Sequence, residues 1–205
     1  ETYIFNSGPL QVYFTEAKGE IPLAMKKAYE FSYSLAPSPL PAFRIAEWYG
    51  SELNTLGTAL TKEQTTEYKT QIAEWVKRGE EAFANPETQN RIETSKRVYV
   101  YQMNAIGYGH LKDYVKAEER YKQALVVAST EKGNSHVFDI ELFARFHYAA
   151  MVASVYGSKR ANDIRSILDP IINEPKEFIN NKSFFYYGFI KSEIDHERKR
   201  CCSNF

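Results

Sequence analysis

Apolar residues recur along most of this chain at the three- and four-residue spacing of amphipathic helices, with short polar or proline-containing breaks between the runs. No run alternates apolar and polar residues with the period of two that a half-buried strand requires. The pattern therefore predicts an all-α fold. The predicted helices cover Pro9–Lys18, Ile21–Leu35, Ala42–Ala59, Thr61–Ala84, Pro86–Leu111, Tyr114–Ser129, Val137–Tyr156, Asn162–Ile172 and Ser183–Lys199.

Three of the predicted breaks carry specific chemical signals. Thr61 followed by Gln64 has the sequence of a capping box, in which each side chain binds the other residue's backbone N–H. Residues 36–41 contain three prolines, so we expect one helix to end there and the next to begin at Ala42. The run Asn85–Glu87 combines a capping residue, a first-turn proline and an acidic residue, which predicts another helix start.

The segment Val98–Glu131 places small and aromatic residues at regular positions on two consecutive helices. The positions that carry the pattern are Tyr101, Asn104, Ala105 and Tyr108, then Asp113, Tyr114, Ala117, Tyr121, Ala124 and Leu125. This pattern resembles the tetratricopeptide repeat, whose units are helix-turn-helix pairs of 34 residues. The segment departs from the family in having Lys112 where a turn glycine is favoured, and in lacking the usual terminal proline.

Weaker copies of the pattern flank this unit. Residues 19–37 resemble the second helix of one unit, and the resemblance places unit starts near Phe5, Phe43, Val98, Arg145 and Asn181. It implies a right-handed superhelical stack of antiparallel helix pairs, an α-solenoid, over a single domain of residues 1–205. An unrelated helical bundle stays open as the alternative. Because the chain opens with Glu1 rather than Met, we expect it to be a fragment of a longer protein.

The resemblance implies that the first helices of successive units line a concave groove that binds a peptide or a partner subunit. Carried over by position, the predicted groove residues are Arg44, Glu47, Ser51, Tyr99, Gln102, Ile106, Phe146, Ala149, Ala153, Phe185 and Phe189. This set is mixed at one end and apolar-aromatic at the other, which suits an extended peptide or an amphipathic helix. The three phenylalanines could equally be core residues. The central positions lack the cations of the family's carboxylate clamp, so we expect no binding of an acidic C-terminal tail.

Charge and cysteine content narrow the class of partner and the compartment. The 26 basic and 26 acidic residues cancel, so the basic excess typical of nucleic-acid binding is missing and we expect no such partner. No apolar run approaches the roughly 20 residues that span a membrane. Cys201 and Cys202 are adjacent, so a disulfide between them would cross-link no loop of the chain, which indicates a reducing, cytoplasmic location. Cys202 has the position of a prenylation site, but Ser203 and Asn204 replace the aliphatic pair, so we do not expect lipidation.

The sequence also lacks the familiar motifs for catalysis and metal binding. It contains no glycine-rich phosphate loop, no Gly-x-Ser-x-Gly elbow and no His-Glu-x-x-His pair, and its four histidines are far apart. We therefore predict a non-enzymatic protein–protein interaction scaffold or adaptor, with no catalytic residue, metal or cofactor. Two alternatives stay open: a regulator that changes curvature when a peptide binds, and a helical accessory domain of an enzyme.

Overall fold

The computed structural model describes residues 20–130 and 135–172, and these residues form helices and short connections without a strand. The all-α prediction is confirmed for this part of the chain. The helices are α1 (Glu20–Leu35), α2 (Pro39–Leu56), α3 (Lys62–Ala84), α4 (Pro86–Arg91), α5 (Thr94–His110), α6 (Tyr114–Ser129), α7 (Ser135–Tyr156) and α8 (Ala161–Ile172), with 3₁₀ turns at Gly57–Ala59 and Gly157–Arg160. None of the helices described combines the length and the apolar character needed to cross a membrane.

Several predictions fall on residues outside the described ranges. The predicted helices Pro9–Lys18 and Ser183–Lys199 lie there, as do the groove residues Phe185 and Phe189. The two cysteines, Cys201 and Cys202, also lie outside the described residues.

Several predicted helix boundaries are wrong; for example, α2 ends at Leu56 rather than at Ala59. Helix α2 begins at Pro39 rather than at Ala42, because the first N–H groups of a helix have no intrahelical partner and proline is tolerated there. The predicted helix Pro86–Leu111 is divided into α4 and α5. The break consists of Ile92 and Glu93, and the β-branched side chain of Ile92 lowers helix propensity.

The predicted cap between α2 and α3 is confirmed. The Thr61 hydroxyl accepts a hydrogen bond from the Gln64 N–H at 3.2 Å, and the Gln64 side-chain oxygen accepts one from the Thr61 N–H at 2.9 Å. At the start of α4, the Asn85 side chain accepts a hydrogen bond from the Glu87 N–H at 2.9 Å. Local capping chemistry therefore sets both helix starts.

The connection between α5 and α6 is a tight turn with a left-handed residue at its centre. The N–H of Asp113 binds the carbonyl of Tyr108, and the N–H of Lys112 binds the carbonyl of Gly109, both at 3.0 Å. This is the Schellman arrangement, and it gives Lys112 a φ of 62°. The Asp113 carboxylate then accepts from the Lys116 N–H at 3.2 Å and caps α6. Lys112 therefore occupies a backbone conformation that favours glycine.

The described chain forms two compact units, of which the first covers residues 20–91 and 106–117. In this unit α1 packs on α2, and α2 packs on α3. The largest fully buried side chains include Phe43 and Ile45 of α2 and Ile72 of α3. Gly79 of α3 lies against the Phe43 ring so closely that a Cβ atom there would be 2.4 Å from a ring carbon. The missing side chain is what lets the two helices approach at this point.

The second unit covers residues 92–105, 118–130 and 135–172 among those described. Its core is built mainly of small and medium residues from three consecutive helices. These are Val98 of α5, Ala124 and Ala128 of α6, and Val137 and Ala144 of α7, with Tyr101, Leu125, Val127 and Ile140 packed around them. Helix α8 packs against α7, where the Arg145 guanidinium also donates to the Ile167 carbonyl at 2.9 Å. Small side chains in α6 therefore set the spacing of this core.

Candidate functional site

Two of the predicted groove residues on α2, Arg44 and Glu47, form an ion pair. Arg44 donates to the Glu47 carboxylate at 2.6 Å, and the two side chains are only 17% and 30% exposed. Ser51 lies one turn further along the same helix and is exposed. Since Arg44 already has an acidic partner on its own helix, its charge is largely neutralised before any ligand arrives.

Tyr29 of α1 faces the same ion pair. Burial raises the pKa of the Tyr29 hydroxyl, the charge of Arg44 acts in the opposite direction, and that of Glu47 adds to the increase. The hydroxyl is thus a neutral hydrogen-bonding group at physiological pH. The first unit therefore brings a neutral phenol beside a paired guanidinium and carboxylate.

His110, at the end of α5, completes this cluster and was not a predicted site residue. Its ring lies against Gly50 of α2, where a Cβ atom would be 2.2 Å from a ring carbon. The ring nitrogen Nδ1 is 3.4 Å from the Asn54 side-chain nitrogen. Burial lowers the pKa of His110, and Glu47 partly opposes that effect. The imidazole is therefore held neutral near pH 7, where it can accept a hydrogen bond.

Lys26 of α1 makes a second polar cluster in the first unit. Its ammonium lies 5.1 Å from the centre of the Trp48 ring and 4.9 Å from that of Tyr49, and it pairs with Glu30 at 2.8 Å. Burial lowers the pKa of Lys26, but hydrogen bonds to Glu30 and Tyr49 outweigh burial, so the net pKa is raised. The amine stays charged and joins α1 to the aromatic side chains of α2.

In the second unit the predicted groove residues differ in accessibility. Gln102 and Ala149 are 3% and 4% exposed, so both side chains are part of the buried core and do not line a groove. Tyr99 and Phe146 are half-buried, and Ala153 is exposed. Ile106 belongs to the first unit and is half-buried there. The sequence could not separate these cases, because Gln102 is polar and would ordinarily be placed on a surface.

Phe146 lies on the side of α7 opposite the core residues Val137 and Ala144. On a helix of 3.6 residues per turn, Phe146, Ala150 and Ala153 share one face about half a turn from that core. Ala150 and Ala153 are both exposed and small. The His147 ring meets the Phe146 ring edge-on at 5.9 Å, and Leu142, one turn before Phe146, is buried, so the phenylalanine ring is partly covered and keeps accessible surface beside the two alanines. A partly accessible ring beside small residues can contact an apolar side chain of a partner.

The strongest electrostatic cluster of the second unit centres on Glu118 of α6. Its two carboxylate oxygens accept from the Arg160 guanidinium at 2.7 and 3.0 Å, and one also accepts from the Tyr148 hydroxyl at 3.0 Å. Lys122 pairs with the same carboxylate at 2.9 Å. The hydrogen bond from Arg160 leads these contacts in lowering the pKa of Glu118 to about 2, although burial opposes them. Burial and the Glu118 contact raise the pKa of Tyr148, whose ring stacks on Tyr121 at 5.4 Å.

This cluster fits a structural role better than a reactive one. The carboxylate accepts hydrogen bonds from three side chains, and its lowered pKa keeps it ionised, so it is poorly suited to exchange a proton near neutral pH. Among the described residues, no three His, Cys, Asp or Glu side chains form a group that could hold a metal ion. No family model, curated protein or solved structure matches the chain. The accessible surfaces of the two units are therefore the remaining candidates for a binding site.

Proposed function

We propose that this chain is a non-enzymatic helical scaffold of the tetratricopeptide-like kind, which binds a peptide or a partner subunit along the first helices of its helix pairs. The observation that carries the proposal is the half-buried ring of Phe146 beside the exposed Ala150 and Ala153 on α7. Within the same unit, Tyr99 of α5 also keeps accessible surface. Aromatic side chains of this kind supply much of the free energy of peptide binding.

The packing of the second unit supports the same proposal. Ala124, Ala128 and Ala144 are buried where α5, α6 and α7 share a core, and a three-residue connection joins α5 to α6. Small residues at helix contacts and short turns are typical of stacked helix pairs. The right-handed superhelix and the cytoplasmic location belong to this proposal.

A displayed library of random linear peptides, selected on the full chain, tests the role. We expect enrichment of peptides with an apolar or aromatic anchor, and we expect Phe146→Glu to weaken the binding of such a peptide by about tenfold or more. Ala153→Arg, at an exposed position of the same face, should have a similar effect without altering the core. Circular dichroism should show unchanged helix content in both variants.

Val126→Glu is the matched control. Val126 is 65% exposed on α6, in the same unit as Phe146 but on a second helix, where the proposal places no partner. The variant should bind the selected peptide as the wild type does. The proposal fails if no peptide is enriched, or if Val126→Glu abolishes binding while Phe146→Glu and Ala153→Arg do not.

A further inference from the structure

Helix α7 uses its charged side chains in packing and turns an uncharged surface outward. Arg145 is the only Lys, Arg, Asp or Glu between residues 143 and 154. It pairs with Glu141 of the same helix at 2.7 Å and donates to the Ile167 carbonyl of α8, so its charge is used within the contact with α8. An ordinary surface helix has the opposite arrangement, with its charged residues toward water. The outward side of α7 therefore has the character of a surface that another element covers.

The outward side of α7 is centred on Ala150, and we call it the α7 face. On a helix of 3.6 residues per turn, Phe146 and Ala153 lie along one edge of this face, and His147 and Ser154 lie along the other. The Phe146 ring is half-buried, and the other four side chains are exposed. The bulky residues thus precede Ala150 by three or four positions, and the small residues follow it by the same intervals.

This order makes the α7 face complementary to itself. If a two-fold axis passes beside Ala150 at right angles to the helix, a second copy of α7 runs antiparallel and the same edges meet. Phe146 of each copy then lies opposite Ala153 of the other copy, and His147 lies opposite Ser154. Each bulky side chain meets a small one, and alanine at the centre lets the two helices approach closely. A parallel pair would instead set the bulky residues against each other.

The polar edge and the overall charge are compatible with the same contact. The Ser154 hydroxyl donates to the Met151 carbonyl at 2.9 Å, which leaves its oxygen able to accept a hydrogen bond. The imidazole N–H of His147 on the other copy is a suitable donor. The chain has 26 basic and 26 acidic residues, so two copies do not repel each other through net charge.

We propose that the partner subunit is a second copy of this chain, bound antiparallel through the α7 face about an axis at Ala150. This pairing rests on the proposed function, since it names the partner that the same surface of α7 binds. A contact of two to three helical turns is smaller than the roughly 1,200 Å² that a stable interface buries, so we expect a weak, reversible dimer. A selected peptide that uses Phe146 should compete with the second copy.

Disulfide formation between copies tests the pairing at single positions. The native thiols are first removed as Cys201→Ser and Cys202→Ser, and Ala150→Cys then places one thiol at the axis. Helices packed about 8–10 Å apart bring two facing Cα atoms within the about 7 Å that a disulfide can span. Ala153→Cys is the matched control, because in the antiparallel pair the two copies of residue 153 are offset by six residues, or about 9 Å along the helix.

We expect Ala150→Cys to cross-link at least about tenfold faster than Ala153→Cys under mild oxidation. Val126→Cys, at a position 65% exposed on α6, should be as slow as Ala153→Cys. Adding Phe146→Glu to Ala150→Cys should lower the rate to that of these controls. Equal rates at positions 150 and 153, whether both slow or both fast, would overturn the antiparallel pairing.

Sedimentation equilibrium and peptide binding separate this pairing from the proposed function. Between about 5 and 500 µM the wild-type chain should pass from monomer to dimer, as expected for a weak interface. A chain that stays monomeric but binds a selected peptide through Phe146 would overturn the pairing and leave the proposed function intact, with another polypeptide as the partner. Dimerisation unaffected by Phe146→Glu would also overturn the pairing. Cross-linking at position 150 without any enriched peptide would count against the peptide-binding role alone.

Discussion

Replacing Gly79 with alanine tests whether α2 and α3 are as closely packed as the structure has them. Gly79 lies within α3, and its backbone faces the ring of Phe43 on α2. Alanine would normally stabilise a helix at such a position, by about 1 kcal/mol relative to glycine. We expect the clash with Phe43 to remove this gain in stability.

The magnitude follows from the distances. An alanine Cβ would lie 2.4, 2.7 and 2.8 Å from three carbon atoms of the Phe43 ring, whereas carbon atoms in contact are about 3.5–4.0 Å apart. The ring is fully buried and cannot turn into solvent, so the ring or the helix must shift by about 1 Å. Overpacking of this kind costs about 1–3 kcal/mol.

Gly109→Ala is the matched control, because a Cβ atom at Gly109 of α5 meets no heavy atom within 4 Å. Both variants gain helix propensity, and Gly109 gains less because it lies in the last turn of α5, so the difference between the variants is a lower bound on the packing cost. Urea unfolding followed by circular dichroism should find Gly79→Ala less stable than Gly109→Ala by about 1–3 kcal/mol. In a chain of this size each kcal/mol corresponds to about 2–4 °C in Tm. If Gly79→Ala were as stable as Gly109→Ala, the close contact between α2 and α3 would be refuted.

Three further predictions concern the turn and the two electrostatic clusters. Lys112→Gly should raise the free energy of unfolding, measured in urea, by about 0.5–1 kcal/mol. Glycine relieves the strain of the left-handed backbone at residue 112, and this gain exceeds the cost of the greater entropy of the unfolded chain. An equal gain in Lys112→Ala would contradict this explanation. Glu118→Gln should cost about 1–3 kcal/mol at neutral pH. The pKa of Glu118 is about 2 in the folded chain and ordinarily 4.5. The difference in unfolding free energy between the wild type and Glu118→Gln, measured in urea, should therefore shrink as the pH falls from 4.5 towards 2. A difference that does not change with pH would count against the ion pair. Burial lowers the pKa of His110 from 6.5. As the pH falls below 6.5, the unfolding free energy of the wild type should therefore decrease more than that of His110→Gln. Parallel plots of unfolding free energy against pH for the two proteins would exclude His110 as the cause.

Features of the fold that depend on local chemistry were predictable from the sequence. The capping box at Thr61 and Gln64 needs only two side chains three residues apart, and it is present as predicted. Lys112 is equally local: the sequence places it where a turn glycine would be favoured, and the backbone there is left-handed. The prolines at 39 and 41 were misread because a proline prevents a helix from continuing but is compatible with its first turn.

The orientation of helices toward their neighbours was harder to predict. The spacing of apolar residues predicted α1 correctly, yet Phe31 and Leu35 are exposed while Tyr29 and Tyr33 are half-buried. Periodicity identifies a helix, but it does not decide between two faces that both carry apolar or aromatic atoms. Tyrosine can bury its ring and still satisfy its hydroxyl, so a face rich in tyrosine can pack inward.

Contacts between residues distant in sequence left the weakest signal. Asn54 and His110 are 56 positions apart, and neither belongs to a recognisable motif. Gly50 in the middle of α2 was the available indication, since a glycine inside a helix often marks the close approach of another group. Gln102 shows the reverse difficulty, because a polar residue in a helical pattern does not predict a side chain that is 3% exposed.

Hydrogen–deuterium exchange on the free chain and on its complex with a selected peptide tests the proposed mode of binding most directly. We expect slower exchange on binding in the segments of α5 and α7 that contain Tyr99 and Phe146, with no change in α6 around Val126. Protection confined to α6, or no protection in either α5 or α7, would contradict it.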